Sequence, residues 1–132
     1  MRYFTRDEAE ALLPTLDPIL RALRDLRAEL TGVEQQVEAL LAKMRGNGHA
    51  HQGELAALRA HAAELAGEIN ERIHQINEMG VLVKDLEMGL IDFPAQRHGD
   101  DILLCWRLDE PRIAWWHTLD GGFGARQPLD GE

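Results

Sequence analysis

Apolar side chains recur at alternating three- and four-residue intervals through the first third of the chain. They are Leu16, Ile19, Leu23, Leu26, Leu30, Val33, Val37, Leu40 and Met44. Heptad spacing of this kind forms one apolar stripe along a helix and is typical of a coiled-coil seam. Upstream, Thr5 and Glu8 have the spacing of a capping box, in which each side chain satisfies a backbone donor at a helix start. The pattern predicts helical structure over residues 5–45.

Two prolines lie near the start of this helical pattern. Pro14 and Pro18 each lack the N–H that a helix interior needs, and each ring clashes with the preceding turn. We therefore expect a short helix, a kink over residues 14–18, and a long helix that restarts near Asp17-Pro18.

A second helical stripe follows residues 46–53, a glycine-rich polar run that is expected to be the tip of a helical hairpin. Its apolar positions are Leu55, Leu58, Ala62, Leu65, Ile69, Ile73 and Ile76, and the pattern stops at Gly80. Antiparallel folding about the tip brings Leu30 near Ile69. The second helix then ends opposite the region of residue 19, so residues 5–18 must pack against the chain that follows residue 80.

Short apolar runs replace the helical spacing after residue 80. They are Val81–Val83, Leu90–Phe93, Ile102–Leu108 and Ile113–His117, separated by clusters of Gly, Pro and Asp. Runs of this kind predict a small antiparallel sheet, with the loop 109–112 closing the last two into a hairpin. A four-residue connection pairs Trp106 with Trp115 and Leu104 with His117 on one face. Cys105 then lies on the opposite face, beside Trp116.

Together these elements predict an α+β fold in one domain, residues 1–132. A long antiparallel, coiled-coil-like helical hairpin over residues 5–79 precedes a small antiparallel β-sheet module over residues 80–132. The glycine-rich tail from Gly121 is expected to be an arm that lies over the sheet.

Charge and cysteine content narrow the classes of function. The chain has 132 residues, with 14 Lys and Arg against 23 Asp and Glu, and a formal net charge of -9. This charge opposes binding to nucleic acid or to an anionic membrane. The single cysteine excludes a disulfide framework and a multi-cysteine metal site, and it favours a reducing compartment. We therefore expect a cytoplasmic location and no cofactor, since the sequence carries no nucleotide-binding motif.

The C-terminal half resembles a known family. The motifs are Val83-Lys84-Asp85-Leu86, Gly89-Leu90-Ile91-Asp92-Phe93-Pro94, Leu104-Cys105-Trp106-Arg107-Leu108, Glu110-Pro111, Trp116-His117 and Gly122-Phe123-Gly124-Ala125-Arg126. As a set they resemble an uncharacterised bacterial family that is known only as a domain of unknown function. Asp109 stands where the resemblance has glycine, in a Leu-Gly-Glu-Pro turn. The resemblance implies a small soluble bacterial protein and supplies no activity.

Polar residues of the β module are the candidates for a site. They are Lys84, Asp85, Asp92, Arg107, Glu110, Trp116, His117 and Arg126. Acids, bases and arginine forks around tryptophans compose an anion or small-molecule site, and equally a buried salt-bridge network that fixes the sheet to the tail. Metal binding is not expected, because the predicted pairing separates His117 from Cys105. His49 and His51 at the hairpin tip and His117 are only weak metal candidates.

Two functions remain open from the sequence. The first is a non-enzymatic interaction or scaffold protein that forms a homodimer through its hairpin and binds a protein partner or a small anionic ligand with its β module. The alternative is a small metal- or anion-binding enzyme or sensor with its site around Lys84, Asp85, Asp92, Glu110 and His117.

Overall fold

A computed structural model describes residues 2–46 and 50–129 of the chain. Two long helices precede a five-stranded antiparallel sheet, which makes the fold α+β. The helices are α1 (Arg6–Met44) and α2 (Gln52–Glu78), and the strands are β1 (Leu82–Asp85), β2 (Leu90–Arg97), β3 (Asp100–Arg107), β4 (Trp115–Thr118) and β5 (Gln127–Pro128). Neither helix carries an apolar stretch that would cross a bilayer, over the part of the chain that the structure describes.

Helix α1 begins at the predicted capping box and continues past both prolines. The Thr5 side chain accepts from the N–H of Glu8, and the Glu8 carboxylate accepts from the N–H of Thr5. The expected restart near residue 17 is wrong, because one helix runs through Pro14 and Pro18. Both prolines are exposed, so water can satisfy the carbonyl groups that they leave without an intrahelical donor.

The start of α1 packs against the sheet, as its lack of a helical partner predicts. Phe4, Ala9 and Leu16 are buried in one core with residues of both α2 and the sheet. The ring of Phe4 meets the ring of Phe93 edge to face, with centroids 5.3 Å apart. This contact joins the entry of the hairpin to the middle of β2.

The five strands form a meander in which each pairs with the next along the chain. Cys105 pairs with Trp115, and Leu103 pairs with His117. The predicted register of this hairpin is therefore wrong by one residue. Its connection is longer than four residues, because β3 ends at Arg107 and β4 begins only at Trp115. Since side chains alternate across a strand, a shift of one residue moves His117 to the face that carries Cys105.

The two faces of the sheet have different coverings. The face that contributes to the helix-packed core carries Ile91, Phe93, Ala95, Ile102, Leu104 and Trp106. The opposite face carries Leu90, Asp92, Leu103, Cys105 and His117, which are also buried. The tail residues described below lie against this second face.

Gly89 and Asp109 are two of the residues beside the sheet that have a left-handed backbone. Gly89 has φ +63°, and a Cβ on this residue would lie only 2.5 Å from Leu108. Asp109 has φ 79°, which explains why glycine suits the same place in the family pattern. Aspartate tolerates this conformation better than most residues, and here its carboxylate also accepts from Arg21 at 2.8 Å.

Candidate functional site

Asp92, Cys105 and His117 form a buried polar cluster on the tail-covered face of the sheet. They come from the adjacent strands β2, β3 and β4, and their donor atoms all lie within 4.8 Å of one another. The relative exposures of the three residues are 1%, 0% and 2%. A carboxylate, a thiol and an imidazole thus meet in a buried part of the molecule, where a polar group needs a hydrogen-bond partner.

The backbone carbonyl of Thr118 fixes one side of the His117 imidazole. Nδ1 lies 2.8 Å from the carbonyl oxygen of Thr118, and since a carbonyl can only accept, Nδ1 carries the hydrogen in this bond. Nε2 lies 3.2 Å and 3.1 Å from the two carboxylate oxygens of Asp92. The backbone therefore fixes the ring so that Nε2 points into the cluster.

The thiol of Cys105 is kept protonated by its surroundings. Burial raises its pKa to about 12, and the negative charge of Asp92 acts in the same direction, against an opposing effect of Arg126. A thiol with this pKa is a poor nucleophile at neutral pH. In the protein without a bound ion, this cysteine does not have the properties of a catalytic nucleophile.

Arg126 ties the C-terminal segment to the same face. Its Nη2 donates to both carboxylate oxygens of Glu110, at 2.7 Å and 3.0 Å, and to the carbonyl oxygen of Cys105 at 3.4 Å. Its guanidinium lies between two rings, 5.1 Å from the centroid of Trp115 and 4.7 Å from that of Phe123. The anionic partner of this arginine is therefore a residue of its own chain. An external anion would have to compete with Glu110.

Other candidate residues lie away from the three-residue cluster. Lys84 is exposed and lines an open cavity with Arg27 and Glu87, and Asp85 accepts from the N–H of Met88 in the β1–β2 turn. The structure thus separates the Lys84-Asp85 pair from the Asp92 cluster.

Arg107 and Trp116 have separate positions in the sheet. Arg107 is exposed, with its guanidinium 5.4 Å from the Phe123 centroid, and its N–H donates to Glu110. Trp116 is partly buried against the helix-packed core. Arg97 stacks on its ring with the guanidinium 4.7 Å from the centroid.

The hairpin tip brings no third metal ligand to His51. The imidazole of His51 lies 3.5 Å from the carboxylate of Glu54, and no group of three metal-type ligands forms there among residues 2–46 and 50–129. His49, the other candidate at the tip, lies outside the described residues.

Cys105 was not among the site residues predicted from the sequence, because the predicted register placed it on the opposite face from His117. The strand alternation held a usable signal, because Ile91 and Phe93 face the core and Asp92 must therefore face the other way. The same alternation places Cys105 opposite to Leu104 and Trp106. Placing His117 on the same face also required the register of β4 against β3. That register depends on the length of the connection between the two strands.

A family profile described as "Uncharacterized conserved protein (DUF2203)" matches residues 2–129 of the chain. The chain therefore belongs to this family, and the resemblance noted in the sequence is confirmed. No curated protein and no solved structure shows significant similarity to it.

Proposed function

We propose that this member of the DUF2203 family binds a divalent transition metal ion, Zn²⁺ by the chemistry of its donors, through Asp92, Cys105 and His117. The observation that carries the proposal is the hydrogen bond from Nδ1 of His117 to the carbonyl of Thr118. Metal-binding histidines characteristically donate their second nitrogen to a carbonyl or carboxylate, which fixes the ring for the metal. Here that bond directs Nε2 at a carboxylate and a thiol.

The donor set selects the class of ion. A thiolate and an imidazole favour Zn²⁺ and neighbouring transition metals, whereas Ca²⁺ and Mg²⁺ prefer oxygen ligands alone. In a tetrahedral zinc site, bond lengths of about 2.0–2.3 Å place ligand atoms about 3.3–3.8 Å apart. The present donor atoms lie within 4.8 Å of one another, so they need to approach by no more than about 1 Å to reach those distances.

Three protein ligands leave one coordination position for water or for an external ligand. The ion would replace the proton of the thiol and make a thiolate. In a buried setting this arrangement fits a metal-dependent sensor or a small metalloenzyme, the second of the two functions that the sequence left open.

A buried structural pair is the competing explanation. Asp92 and His117 by themselves join β2 to β4 across β3, and a buried pair of this kind needs no ion. The two explanations differ in what they require of Cys105, because a pair of Asp92 and His117 has no need for a thiol that can ionise.

Metal analysis of the full chain tests the proposal. We expect protein purified without chelators to retain one zinc per chain. We also expect the apo protein to bind Co²⁺ with a thiolate-to-cobalt charge-transfer band, because Cys105 would be a ligand. Cys105→Ser should abolish the band and weaken binding by at least about tenfold. His74→Ala is the matched control, since His74 is an exposed histidine on α2.

Two results would overturn the metal proposal. One is a parent protein that holds no metal and shows no rise in melting temperature with Zn²⁺ or Co²⁺. The other is cobalt binding that survives Cys105→Ser with its charge-transfer band intact, which would place the ion elsewhere.

We propose as a second function that the hairpin associates with a second copy of the chain. Leu41, near the tip of the hairpin, is 39% exposed beside the buried Leu40. This side chain is the apolar surface that a second hairpin would cover. Light scattering at tens of micromolar should report two chains, with Leu41→Asp shifting the protein to one. A parent mass of 14.9 kDa would contradict the proposal.

A further inference from the structure

We infer that residues 119–129 form a gate over the Asp92, Cys105 and His117 site, and that Arg126 is its latch. The inference rests on the proposed metal-binding function and concerns its regulation. The gate opens to admit or release the ion, and closes when Arg126 docks between Trp115 and Phe123.

The course of the segment places it over the ligands. It leaves β4 at Thr118, forms a short 3₁₀ turn over Phe123–Ala125, and returns beside β4 as β5. A Cβ on Gly121 would lie 3.5 Å from Cβ of His117, so the backbone of the segment rests on a ligand residue. The opposite face of the sheet is closed by the helix-packed core. The segment therefore lies on the side of the ligands that the helices do not close.

The backbone attachment of the segment is small. Strand β5 has two residues, which pair with Trp115 and Trp116. Among the described residues, two further backbone bonds join the segment to the chain before it, from the N–H of Leu129 to the carbonyl of Ala114 at 2.9 Å and from the N–H of Gly121 to that of Thr118 at 3.0 Å. A short edge strand of this size opens at low free energy compared with the central strands. Side-chain contacts must therefore supply much of what keeps the segment closed.

Arg126 supplies those contacts. Its side chain is 10% exposed and that of Glu110 15%, so their charged pair is largely removed from water. The same guanidinium stacks on Trp115, which belongs to the sheet, and on Phe123, which belongs to the segment. One side chain thus joins both sides of the gate and also contacts the carbonyl of Cys105.

Two features of Arg126 and Phe123 make the closed state less stable. Among residues 2–46 and 50–129, no group accepts a hydrogen bond from the buried Nε of Arg126, which costs free energy in the closed state and is relieved when the side chain reaches water. Phe123 is 37% exposed, so one of the two stacking rings already lies at the surface. Both features lower the free energy of opening without removing the closed state.

Two rates measure the gate independently. The first is the reaction of Cys105 with a disulfide reagent in the apo protein, which needs no metal. The second is the transfer of Zn²⁺ from the loaded protein to an excess of chelator. Because both the reagent and the ion must pass the segment, Arg126→Ala should accelerate each rate by at least about tenfold. Arg59→Ala, on the exposed surface of α2, is the matched control and should change neither.

The position of the ligands should be unaffected by loss of the latch. The Co²⁺ spectrum of Arg126→Ala should match that of the parent, because none of the three ligands is altered. If Arg126→Ala does not unfold cooperatively, the same two rates are measured in Phe123→Ala. This variant removes only a partly exposed ring that contacts Arg126.

Failure of the gate and failure of the metal site give different results. Unchanged thiol and zinc-transfer rates in a folded latch variant would overturn the gate, whatever the metal content. A parent that binds no metal but whose thiol reacts faster after Arg126→Ala would overturn the metal function and leave the gate standing.

Discussion

Nε2 of His117 faces the carboxylate of Asp92, 25 residues away in the chain and two strands across the sheet, at 3.2 Å and 3.1 Å from its oxygens. The two side chains are 3% and 1% exposed. This pair therefore contributes to the fold whether or not an ion is bound. An experiment on the site must therefore distinguish the loss of stability caused by removing this pair from the loss of a bound metal ion.

His117→Ala in the metal-free protein should lower the free energy of unfolding by about 3–5 kcal/mol, because it leaves the buried Asp92 carboxylate without its partner. Chemical denaturation in the presence of a chelator measures this. His74→Ala, an exposed histidine paired with Glu78, should cost under about 0.5 kcal/mol. Equal, small losses for both variants would contradict the buried position of His117.

The raised pKa of Cys105 predicts a specific loss of stability at alkaline pH. The folded-state pKa of about 12 lies above the unperturbed value of 9.0, so the folded protein holds the thiol proton more tightly. The resulting stabilisation is complete below pH 9 and is lost as the pH rises towards 12. Denaturation midpoints of the apo protein should therefore fall more steeply over this range in the parent than in Cys105→Ala. Parallel profiles would show that the thiol is not held in a raised-pKa environment.

Gly89→Ala should destabilise the protein by more than about 2 kcal/mol, because the residue has φ +63° and the new Cβ would meet Leu108 at 2.5 Å. Thermal or chemical unfolding measures the change. Gly67→Ala makes the same substitution within α2, where no atom of another described residue that the new Cβ could clash with lies within 4 Å, and should stabilise by about 0.5–1 kcal/mol. Opposite signs for the two variants are the expected outcome, and the same sign would contradict it.

Leu30→Ala should cost on the order of 2–5 kcal/mol, because Leu30 is buried in the core shared by the two helices and the sheet. Glu34, one turn later on α1, is exposed, and Glu34→Ala should cost under about 0.5 kcal/mol. Urea denaturation of both variants compares the two positions directly. Similar losses would mean that the apolar stripe of α1 does not face the core.

Structural elements whose contacts join residues close together in the chain could be predicted from the sequence alone. The Thr5 and Glu8 capping box formed as predicted because its partners are three residues apart. The apolar stripes of both helices contain buried and partly buried residues, because helical spacing by itself brings them to one face. The buried positions are Leu16, Leu23, Leu30, Val33 and Leu40 on α1 and Leu55, Leu65, Ile69 and Ile76 on α2. Pro14 and Pro18 show the limit of local reasoning: their cost is local, but packing of the flanking residues against the sheet keeps the helix continuous.

The candidate site was decided by the tertiary structure. Asp92, Cys105 and His117 are all visible in the sequence, but whether they meet depends on the register of β4 against β3. A register shift of one residue reverses the face of every side chain, and the long β3–β4 connection leaves the register to be chosen by packing of both faces. The partner of Arg126 was equally undecided in the sequence, because Glu110 and the two rings come together only when the tail folds back over the sheet.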